Sequence, residues 1–388
     1  MKSLALAMEK LNSLSLEVSP IIGNTKFYFG DTFSKTQEIV SRLIPFGKAV
    51  LLCGESEYEE KGKLLENSLT DKGVKCQVLI NPTLKDFDKV VENVRLVISF
   101  SNEYFNLAGA LATERNLYSL FIVDKFNFDN LLTIETELNG KKISLNFDRR
   151  ILLDVDTIVK DEEGSSHEYA FIMSKLISLV DYRIYGIITG NKVEKNSYNL
   201  IKSAVEETYS IFSCDREEYL IALVKNAIII RLANVFSNGL FVKNSAVDIC
   251  KELLGDKKAY IPYAKKLAKI YALTFSSAFD GVSEPDYLER MERVLKFSNK
   301  KETLISKWIV YQGALCEKKK NEIALIKELL FNEVSSYIKI FNRVEKTYIA
   351  LGGSISSTNN EIIKVCGDFV DTFNGMTLAT NAGISEYL

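Results

Sequence analysis

The length, composition and charge of this chain indicate more than one domain and exclude several classes of function. Its 388 residues are too many for one ordinary hydrophobic core, so we expect two domains. Hydrophobic residues make up 47% of the chain and charged residues 26%, which is typical of a soluble globular protein. The formal net charge of −2 gives no field of one sign that would favour nucleic acid or an anionic membrane surface.

The cysteines and the apolar segments indicate in which cellular compartment the protein is expected. The six cysteines include no Cys-x-x-Cys pair, so no zinc or redox motif of that type is present. We expect buried free thiols in a reducing cytoplasm, although an even number leaves disulfides open. Glu9 and Lys10 interrupt the first apolar patch, which argues against a signal peptide. The most apolar run, 219–236, carries Lys225 and Arg231 and predicts a buried core helix.

Between about residue 48 and residue 154, short apolar runs alternate with amphipathic segments. The runs are leucine-rich or β-branched and apolar on both faces, as in strands that are covered on both sides. They lie at 49–53, 77–80, 95–100, 119–123 and 151–154. Helical spacing occurs at 33–43, 56–72, 84–94 and 103–115. This alternation predicts a parallel Rossmann-like sheet with right-handed crossovers.

After about residue 156 the pattern becomes helical throughout. The predicted helices lie at 171–185, 216–236, 246–254, 264–279, 287–297, 321–348 and 361–379. In the longest of them apolar residues recur every three or four positions, which predicts one continuous buried stripe. We therefore expect an α/β domain over 1–155 and an all-helical domain over 156–388. Ligands of such proteins usually bind in the cleft between the domains.

The chain contains a single histidine, His167, which follows two serines in a polar stretch. We expect a solvated loop residue there, because one histidine cannot supply the ligands of a catalytic metal site. No Gly-x-Gly-x-x-Gly, P-loop, Gly-x-Ser-x-Gly or His-Glu-x-x-His motif occurs. The sequence therefore lacks the common catalytic signatures.

Five stretches follow one another along the chain: RLVISFSNEYFNLAGALATERNLYSLFIV, NGKKI, RRILLDVDTI, SSHEYAFIMSKLISLVDYRIYG and FVDTFNGMTLATNAGISEYL. In this order they resemble segments of the superfamily of iron-containing alcohol dehydrogenases, glycerol dehydrogenases and dehydroquinate synthases, nearest to sn-glycerol-1-phosphate dehydrogenase. RLVISFSNEYFNLAGALATERNLYSLFIV looks like its strand, glycine loop, helix and next strand. NGKKI and RRILLDVDTI are similar to a hairpin and a strand of that family. SSHEYAFIMSKLISLVDYRIYG resembles its helix that ends in Asp-Trp, and FVDTFNGMTLATNAGISEYL its closing helix. The resemblance implies a dehydroquinate synthase-like fold over most of the chain.

The resemblance also implies a dinucleotide site, and here this sequence departs from the family. The family's Gly-Gly-Gly-Ser turn brings backbone N–H groups to a pyrophosphate at a helix N-terminus. The corresponding residues are Phe100, Ser101, Asn102 and Glu103. A family lysine further along is replaced by Gly109, and a family aspartate by Asn106. We expect these side chains to fill the phosphate space and to place a negative charge beside it.

A second departure affects the metal site. The family binds iron or zinc through one aspartate and two histidines, and the metal polarises the substrate hydroxyl. The aspartate aligns with Phe171 and the first histidine with Ser245, within a residue or two. The second histidine belongs within 259–263, which contains none. Asp129, in contrast, matches a family aspartate beside the substrate, so it is a substrate-pocket candidate; its alternative role is a turn or helix-capping residue.

Loss of both sites favours a non-catalytic relative of NAD(P)- and metal-dependent polyol(-phosphate) dehydrogenases with a binding or regulatory role and no expected cofactor. The resemblance implies a homo-oligomer, and the binding or regulatory role would suit a complex with an active paralogue. The two-domain architecture places a small-molecule ligand in the interdomain cleft, and the net charge argues against nucleic acid and membrane as partners. Two alternatives stay open. One is an active oxidoreductase of the glycerol-1-phosphate or glycerol dehydrogenase type, acting on a small polyol or its phosphate with NAD(P) and zinc or iron. The other is a metal-free enzyme that uses Asp129 as acid or base.

Overall fold

The computed structural model of the protein resolves its architecture into two compact units. It describes residues 2–100, 102–138, 141–145, 147–211, 215–243, 245–255, 260–276, 296, 318–368 and 374–381. The first unit consists of residues 1–168 and 213–235, and the second of residues 169–212 and 236–388. The sheet lies in the first unit and the second is helical where it is described, so the predicted fold class is confirmed.

A six-stranded sheet forms the centre of the first unit. Its spatial order is β1-β8-β5-β4-β2-β3, and every neighbouring pair is parallel. The strands are β1 (Thr25–Phe29), β2 (Gly47–Cys53), β3 (Val74–Ile80), β4 (Val94–Ser99), β5 (Tyr118–Val123) and β8 (Arg149–Leu153). All five predicted apolar runs are strands of this sheet. The edge strand β1 was not predicted from the sequence, because its five residues are too few and only partly apolar.

The helices of the first unit differ from the prediction in several places: the first and the sixth were not predicted, and two predicted helices take another form. They are α1 (Lys2–Ile22), α2 (Thr32–Leu43), α3 (Glu55–Glu57), α4 (Lys63–Asp71), α5 (Asn102–Arg115), α6 (Val155–Ile158) and α9 (Arg216–Phe236). The predicted helix at 56–72 is interrupted by a π-helical turn at Tyr58–Gly62. The helix predicted at 84–94 was wrong: Leu84–Lys89 is a 3-10 helix in which only Phe87 is buried, too little apolar surface to hold a longer helix on the sheet.

A short antiparallel hairpin follows β5, as the resemblance implied. Its strands are β6 (Glu135–Leu138) and β7 (Lys141–Ser144). In the parallel sheet, β3 lies on one side of β2, and the next strand along the chain, β4, lies on the other side of β2. The strand order therefore reverses at β2 and β4, and the crevice outside their carboxyl ends is where sheets of this kind bind ligands.

Two helices extend through the unit boundaries. Helix α7 (Glu162–Thr189) carries His167 in its first turns, so the expected loop position of this histidine was wrong. Helix α9 is, among the described residues, the one helix long and apolar enough to span a membrane, and 78% of its most apolar window is buried. That burial is typical of the core helix of a soluble protein, as the sequence predicts.

The second unit is helical where it is described, and its longest helix, α13 (Lys320–Ala350), packs against α12. The others are α8 (Lys195–Ser210), α10 (Leu240–Lys243), α11 (Ala246–Leu254), α12 (Tyr260–Ser276), α14 (Asn360–Val365) and α15 (Gly375–Asn381). The apolar stripe of α13, from Ile323 to Tyr348, is buried as predicted. Helix α8 was missed, and the helix predicted at 287–297 lies outside the described residues, apart from Lys296.

The closing helix predicted at 361–379 is divided. Helix α14 ends before Cys366, and Asn374 starts α15 by accepting a hydrogen bond from Thr377 N at 3.0 Å. The Asn374 side chain also donates to the carbonyl of Cys366 at 3.0 Å. One asparagine thus caps the second helix and ties it to the end of the first, a contact between segments that helical periodicity does not reveal.

A single carboxylate, that of Asp181 on α7, joins four helices of the second unit. Asp181 is fully buried and accepts hydrogen bonds from Ala246 N at 2.8 Å and Tyr271 Oη at 2.8 Å. It also accepts from Gly375 N at 3.0 Å. Two of these donors are N-terminal amides of α11 and α15, which have no partner within their own helices. Burial raises the pKa of Asp181 to about 7, although the three donors act in the opposite direction.

The raised pKa of Asp181 predicts a pH dependence of stability. The pKa of this carboxyl rises from 3.8 in the unfolded chain to about 7 in the folded protein. Its contribution to the stability of the native state is therefore complete at pH values below 3.8 and is lost as the pH increases through 7. Asp181→Asn mimics the protonated acid. We expect the wild-type protein to lose stability relative to this variant between pH 4 and 7, with a slope approaching about 1.4 kcal/mol per pH unit. Urea unfolding at a series of pH values measures this, and parallel profiles would contradict it.

Candidate functional site

A cavity of about 250 Å³ lies at the carboxyl ends of β2, β4 and β5, at the point where the strand order reverses. Residues that follow these three strands line it: Glu57, Glu60, Lys61, Phe100, Asn102, Glu103, Phe105, Val123, Asp124, Lys125 and Asn127. The lining carries four carboxylates and two ammonium groups. The cavity thus occupies the usual ligand position of the fold, but its charge does not favour a phosphate.

The turn after β4 is filled by the chain's own side chains. Phe100 is only 5% exposed and packs into the core on one face of the sheet. Asn102 donates to Asn127 Oδ1 at 3.2 Å and accepts from Asn130 N at 3.0 Å. The Asn102 carbonyl accepts from Asn130 Nδ2 at 3.1 Å. Ser101 lies outside the described residues. Side chains therefore crosslink the start of α5, where a glycine turn would leave N–H groups open to a ligand.

Some of the charged residues around the cavity are held by neighbouring groups. Lys61 forms an ion pair with Asp124, and Gly54 N donates to Glu57 Oε2 at 2.9 Å. Glu103, in the first turn of α5, is exposed and lines the cavity, so its carboxylate adds negative charge near the helix N-terminus. Of the two lysines that line the cavity, Lys61 is paired with a carboxylate and Lys125 is exposed.

At Gly109, the face of α5 packs closely against an aromatic ring. A Cβ at this position would lie 2.8 Å from Cε1 and Cζ of Phe147. The Phe147 ring packs edge-on against Phe121, at 5.9 Å between ring centroids, and the Arg149 guanidinium lies 4.4 Å from its centroid. The aromatic ring thus takes the space of a longer side chain at 109, the position where the resemblance placed a lysine.

Gly109→Ala is expected to destabilise the protein although it is a change to a better helix former. Overpacking against Phe147 costs about 1 to 3 kcal/mol, while the gain in helix propensity is at most about 1 kcal/mol. Thermal unfolding of the variant measures the net effect. Adding Phe147→Leu should recover part of the loss, because the smaller side chain can yield. A Gly109→Ala protein more stable than wild type would contradict the close packing.

Asp129, the substrate-pocket candidate, lies in a turn and forms an ion pair. Arg231 Nη2 of α9 donates to Asp129 Oδ1 at 2.7 Å. The same guanidinium binds both carboxylate oxygens of Glu168, at 2.9 and 3.0 Å. Burial lowers the pKa of Arg231, but the carboxylates of Glu168 and Asp129 outweigh it and raise the pKa above its ordinary value. The cluster fixes the Asp129 carboxylate beside a permanent positive charge.

Removing Arg231 should cost far more than removing the Asp129 charge. Glu168 is 2% exposed, and Arg231→Met deprives it of a bidentate partner, which typically costs about 3 to 5 kcal/mol. Asp129 is 32% exposed, so Asp129→Asn should cost at most about 1 kcal/mol. Chemical denaturation of the two variants compares these losses. Equal losses would mean that Asp129, and not Glu168, is the main partner of the guanidinium.

In the second unit, the two positions aligned with metal ligands, Phe171 and Ser245, belong to one cluster with Tyr260, which lies in the stretch 259–263 where the second histidine was expected. Phe171 on α7 and Tyr260 at the start of α12 are in edge contact, with ring centroids 5.7 Å apart. Ser245 is the N-cap of α11, and its hydroxyl lies 2.7 Å from the Ser178 hydroxyl. The fold thus brings residues from three separate segments to one place, although none of them is an aspartate or a histidine.

The centre of this convergence is occupied by Lys175. Its Nζ is fully buried, forms an ion pair with Asp248, and lies 4.3 Å from the ring centroid of Phe171. The ring centroid of Tyr260 is 5.7 Å away. Ser178 donates its hydroxyl hydrogen to Asp248 Oδ2 at 3.2 Å, so Ser245 donates in turn to Ser178.

These residues do not fit a catalytic iron or zinc ion. Phe171 has no donor atom, and the carboxylate of Asp248 is already paired with an ammonium group. Within the described parts of the chain, no three His, Cys, Asp or Glu side chains are grouped closely enough to hold a metal ion. Catalytic zinc sites usually need three protein ligands, so the cluster offers too few.

Sequence reasoning missed four residues that organise these sites: Lys175, Asp181, Arg231 and Asp248. A signal was present for three of them, since Lys175, Asp181 and Arg231 are isolated charges within otherwise apolar helical segments. A buried charge in such a position requires a partner. The identity of each partner could not be read from the sequence, because the partners lie 63 to 194 positions away along the chain.

Comparison with known proteins establishes the fold alone. No protein-family model and no curated protein matches the sequence. Among solved structures, glycerol dehydrogenase from Schizosaccharomyces pombe is 12% identical, with 94% of this chain and 89% of that chain covered and a TM-score of 0.52. Maleylacetate reductase from Agrobacterium tumefaciens is 11% identical, with 92% and 95% covered and a TM-score of 0.52.

A structure of 1,3-propanediol oxidoreductase is 12% identical, with 92% of this chain and 97% of that chain covered and a TM-score of 0.50. These similarities show that the chain shares the fold of these three proteins, which is the fold that the sequence resemblance implied. Identities of 11 to 12% carry no information about activity.

Proposed function

We propose that this protein is a non-catalytic relative of NAD(P)- and metal-dependent polyol dehydrogenases that acts through binding or regulation. The observation that carries the proposal is the buried Lys175–Asp248 pair at the place where Phe171, Ser245 and Tyr260 converge. A metal-dependent hydride transfer needs an ion that binds the substrate oxygen. In this chain a phenyl ring and a lysine take up that position.

The cavity beside β4 supports the same proposal independently. A pyrophosphate at the N-terminus of α5 would meet the Glu103 carboxylate, and a charge pair at about 4 Å and an effective dielectric of about 20 costs roughly 4 kcal/mol. The helix dipole offers at most about 2 kcal/mol in return. The charge of Lys61 is engaged by Asp124. Electrostatics therefore opposes dinucleotide binding even though a cavity is present.

An active oxidoreductase acting on a small polyol or its phosphate is the second candidate. It is favoured by the fold, which this chain shares with a glycerol dehydrogenase and a 1,3-propanediol oxidoreductase, and by the cavity at the point where the strand order reverses. It would require the dinucleotide and the metal to bind through residues other than those aligned with the family's ligands. A metal-free enzyme based on Asp129 is less well supported, because Arg231 holds that carboxylate.

Binding or regulation requires a partner, for which we propose a second copy of this chain or an active paralogue. A small molecule in the cavity beside β4 is also compatible with the proposal. The proposed compartment is the cytoplasm, in line with Cys53, Cys76, Cys250 and Cys366, which are free thiols.

A cofactor titration tests the proposal. With NADH or NADPH at about 1 mM, the melting temperature of the wild-type protein should stay within about 1 °C, because a ligand stabilises only the states that it binds. A matched variant, Phe100→Gly with Ser101→Gly, Asn102→Gly and Glu103→Ser, carries the family's glycine turn and should respond more strongly than wild type. Metal analysis of the purified wild-type protein should find far less than one equivalent of zinc or iron. A rise of several degrees with NADH, or stoichiometric metal, would end the proposal.

A further inference from the structure

The buried cluster on α7 and α11 has a feature that loss of activity alone does not require. Lys175 is 0% exposed and Asp248 only 7%. An unpaired ammonium or carboxylate in such a place is strongly unfavourable, and a buried ion pair is often no more stable than apolar residues of similar volume. A site that had merely decayed would be filled most simply by apolar side chains. This chain instead keeps one cation and one anion there.

The surroundings of Lys175 are those of a cation-binding site. Its Nζ has a carboxylate on one side, and the ring faces of Phe171 at 4.3 Å and Tyr260 at 5.7 Å attract positive charge through their quadrupoles. The carboxylate is in turn held by the hydroxyl of Ser178 at 3.2 Å and by the position of Ser245, whose hydroxyl caps the helix that carries Asp248. Every one of these contacts favours a single positive charge at the position of Nζ.

We infer that Lys175 acts as a built-in cation: its ammonium group occupies a cation-binding site formed by Asp248, Phe171 and Tyr260, and so takes the structural place of an exogenous ion. The inference deepens the proposed function and rests on it only in assigning that place to a former metal site. A built-in ammonium group keeps the three segments together without any dependence on metal supply. It also excludes a divalent cation, both by repulsion and by using the available carboxylate.

Chemical rescue tests this inference. Lys175→Ala removes the atoms from Cγ to Nζ, which correspond to propylammonium. We expect the variant to melt roughly 5 to 10 °C below wild type, because the Asp248 carboxylate loses its partner. Propylammonium chloride at about 100 mM should recover several degrees in Lys175→Ala and leave wild type unchanged. Propanol at the same concentration should not recover stability, because it lacks the charge.

Lys265→Ala is the matched control. Lys265 forms an ion pair with Glu345 between α12 and α13 in the same unit, but the two side chains are 22% and 24% exposed. Propylammonium should not raise the melting temperature of this variant. Equal recovery in the two variants, full stability of Lys175→Ala, or equal recovery by propanol would overturn the inference.

A double-variant cycle covers the case in which Lys175→Ala does not fold. Lys175→Met with Asp248→Asn removes both charges, and we expect it to melt at a higher temperature than either single variant. Additive losses would overturn the inference. The outcome is separable from that for the proposed function: NADH binding by wild type would end the proposed function while ammonium rescue still assigned the cation position. If propylammonium does not rescue Lys175→Ala and wild type does not bind NADH, the inference is overturned and the proposed function is unaffected.

Zinc chloride gives a further reading of the same site. The wild-type protein should show no rise in melting temperature with zinc, since the ammonium repels a second cation from the Asp248 carboxylate. Lys175→Ala, in which Asp248 and the hydroxyls of Ser178 and Ser245 become accessible to an ion, should gain more from zinc than wild type does. A larger zinc effect in wild type than in Lys175→Ala would overturn the inference.

Discussion

A charge placed in a low-dielectric interior must be matched by an opposite charge or by hydrogen-bond donors, and this constraint organises the second unit of the protein. Lys175 and Asp248 satisfy each other, with two serine hydroxyls beside the carboxylate. Asp181, six positions along the same helix, is satisfied by two helix N-terminal amides and a tyrosine. Because each carboxylate joins segments that are distant in sequence, the polar contacts determine which helices meet as much as the apolar stripe of α13 does.

In the first unit, the strand order and the side chains that line the cavity have separate effects on ligand binding. The order of parallel strands and the reversal at β2 and β4 leave a cavity at the usual ligand position. Backbone geometry alone creates that cavity, whereas affinity for a phosphate depends on exposed N–H groups and on charge. Asn102 crosslinks the start of α5, and Phe147 fills the space above Gly109. The architecture and the chemistry of the site are therefore separable, as is common among widely used folds.

The two candidate sites are held together by different kinds of contact. In the turn after β4, Asn102 forms hydrogen bonds with Asn127 and Asn130, and Phe100 packs on one face of the sheet. Beside Phe171, the Lys175 ammonium group pairs with the Asp248 carboxylate and lies close to two aromatic rings. A buried ion pair of this kind joins helices that are distant in sequence.

Much of the first unit could be predicted from local pattern. The five apolar runs became strands because β-branched and leucine-rich segments of that length are buried on both faces of a parallel sheet, and α9 and α11 begin and end where their periodicity does. Prediction was poorer where local signals are weak: β1 has few residues, Leu84–Lys89 has one buried side chain, and the closing helix is divided by the cap at Asn374. Alignment with the family also identified Phe100, Phe171 and Ser245 as positions without the expected ligands.

By itself the sequence determined the order of strands and helices and the absence of histidine and glycine where the related fold has them, because these are properties of residues and their spacing. Only the tertiary structure decided that Phe171, Ser245 and Tyr260 converge on Lys175, and that Arg231 holds both Glu168 and Asp129. The reason is physical. A charged residue in an apolar segment indicates that a buried partner is required. Which residue becomes that partner depends on how segments tens of residues apart are brought together when the apolar faces pack.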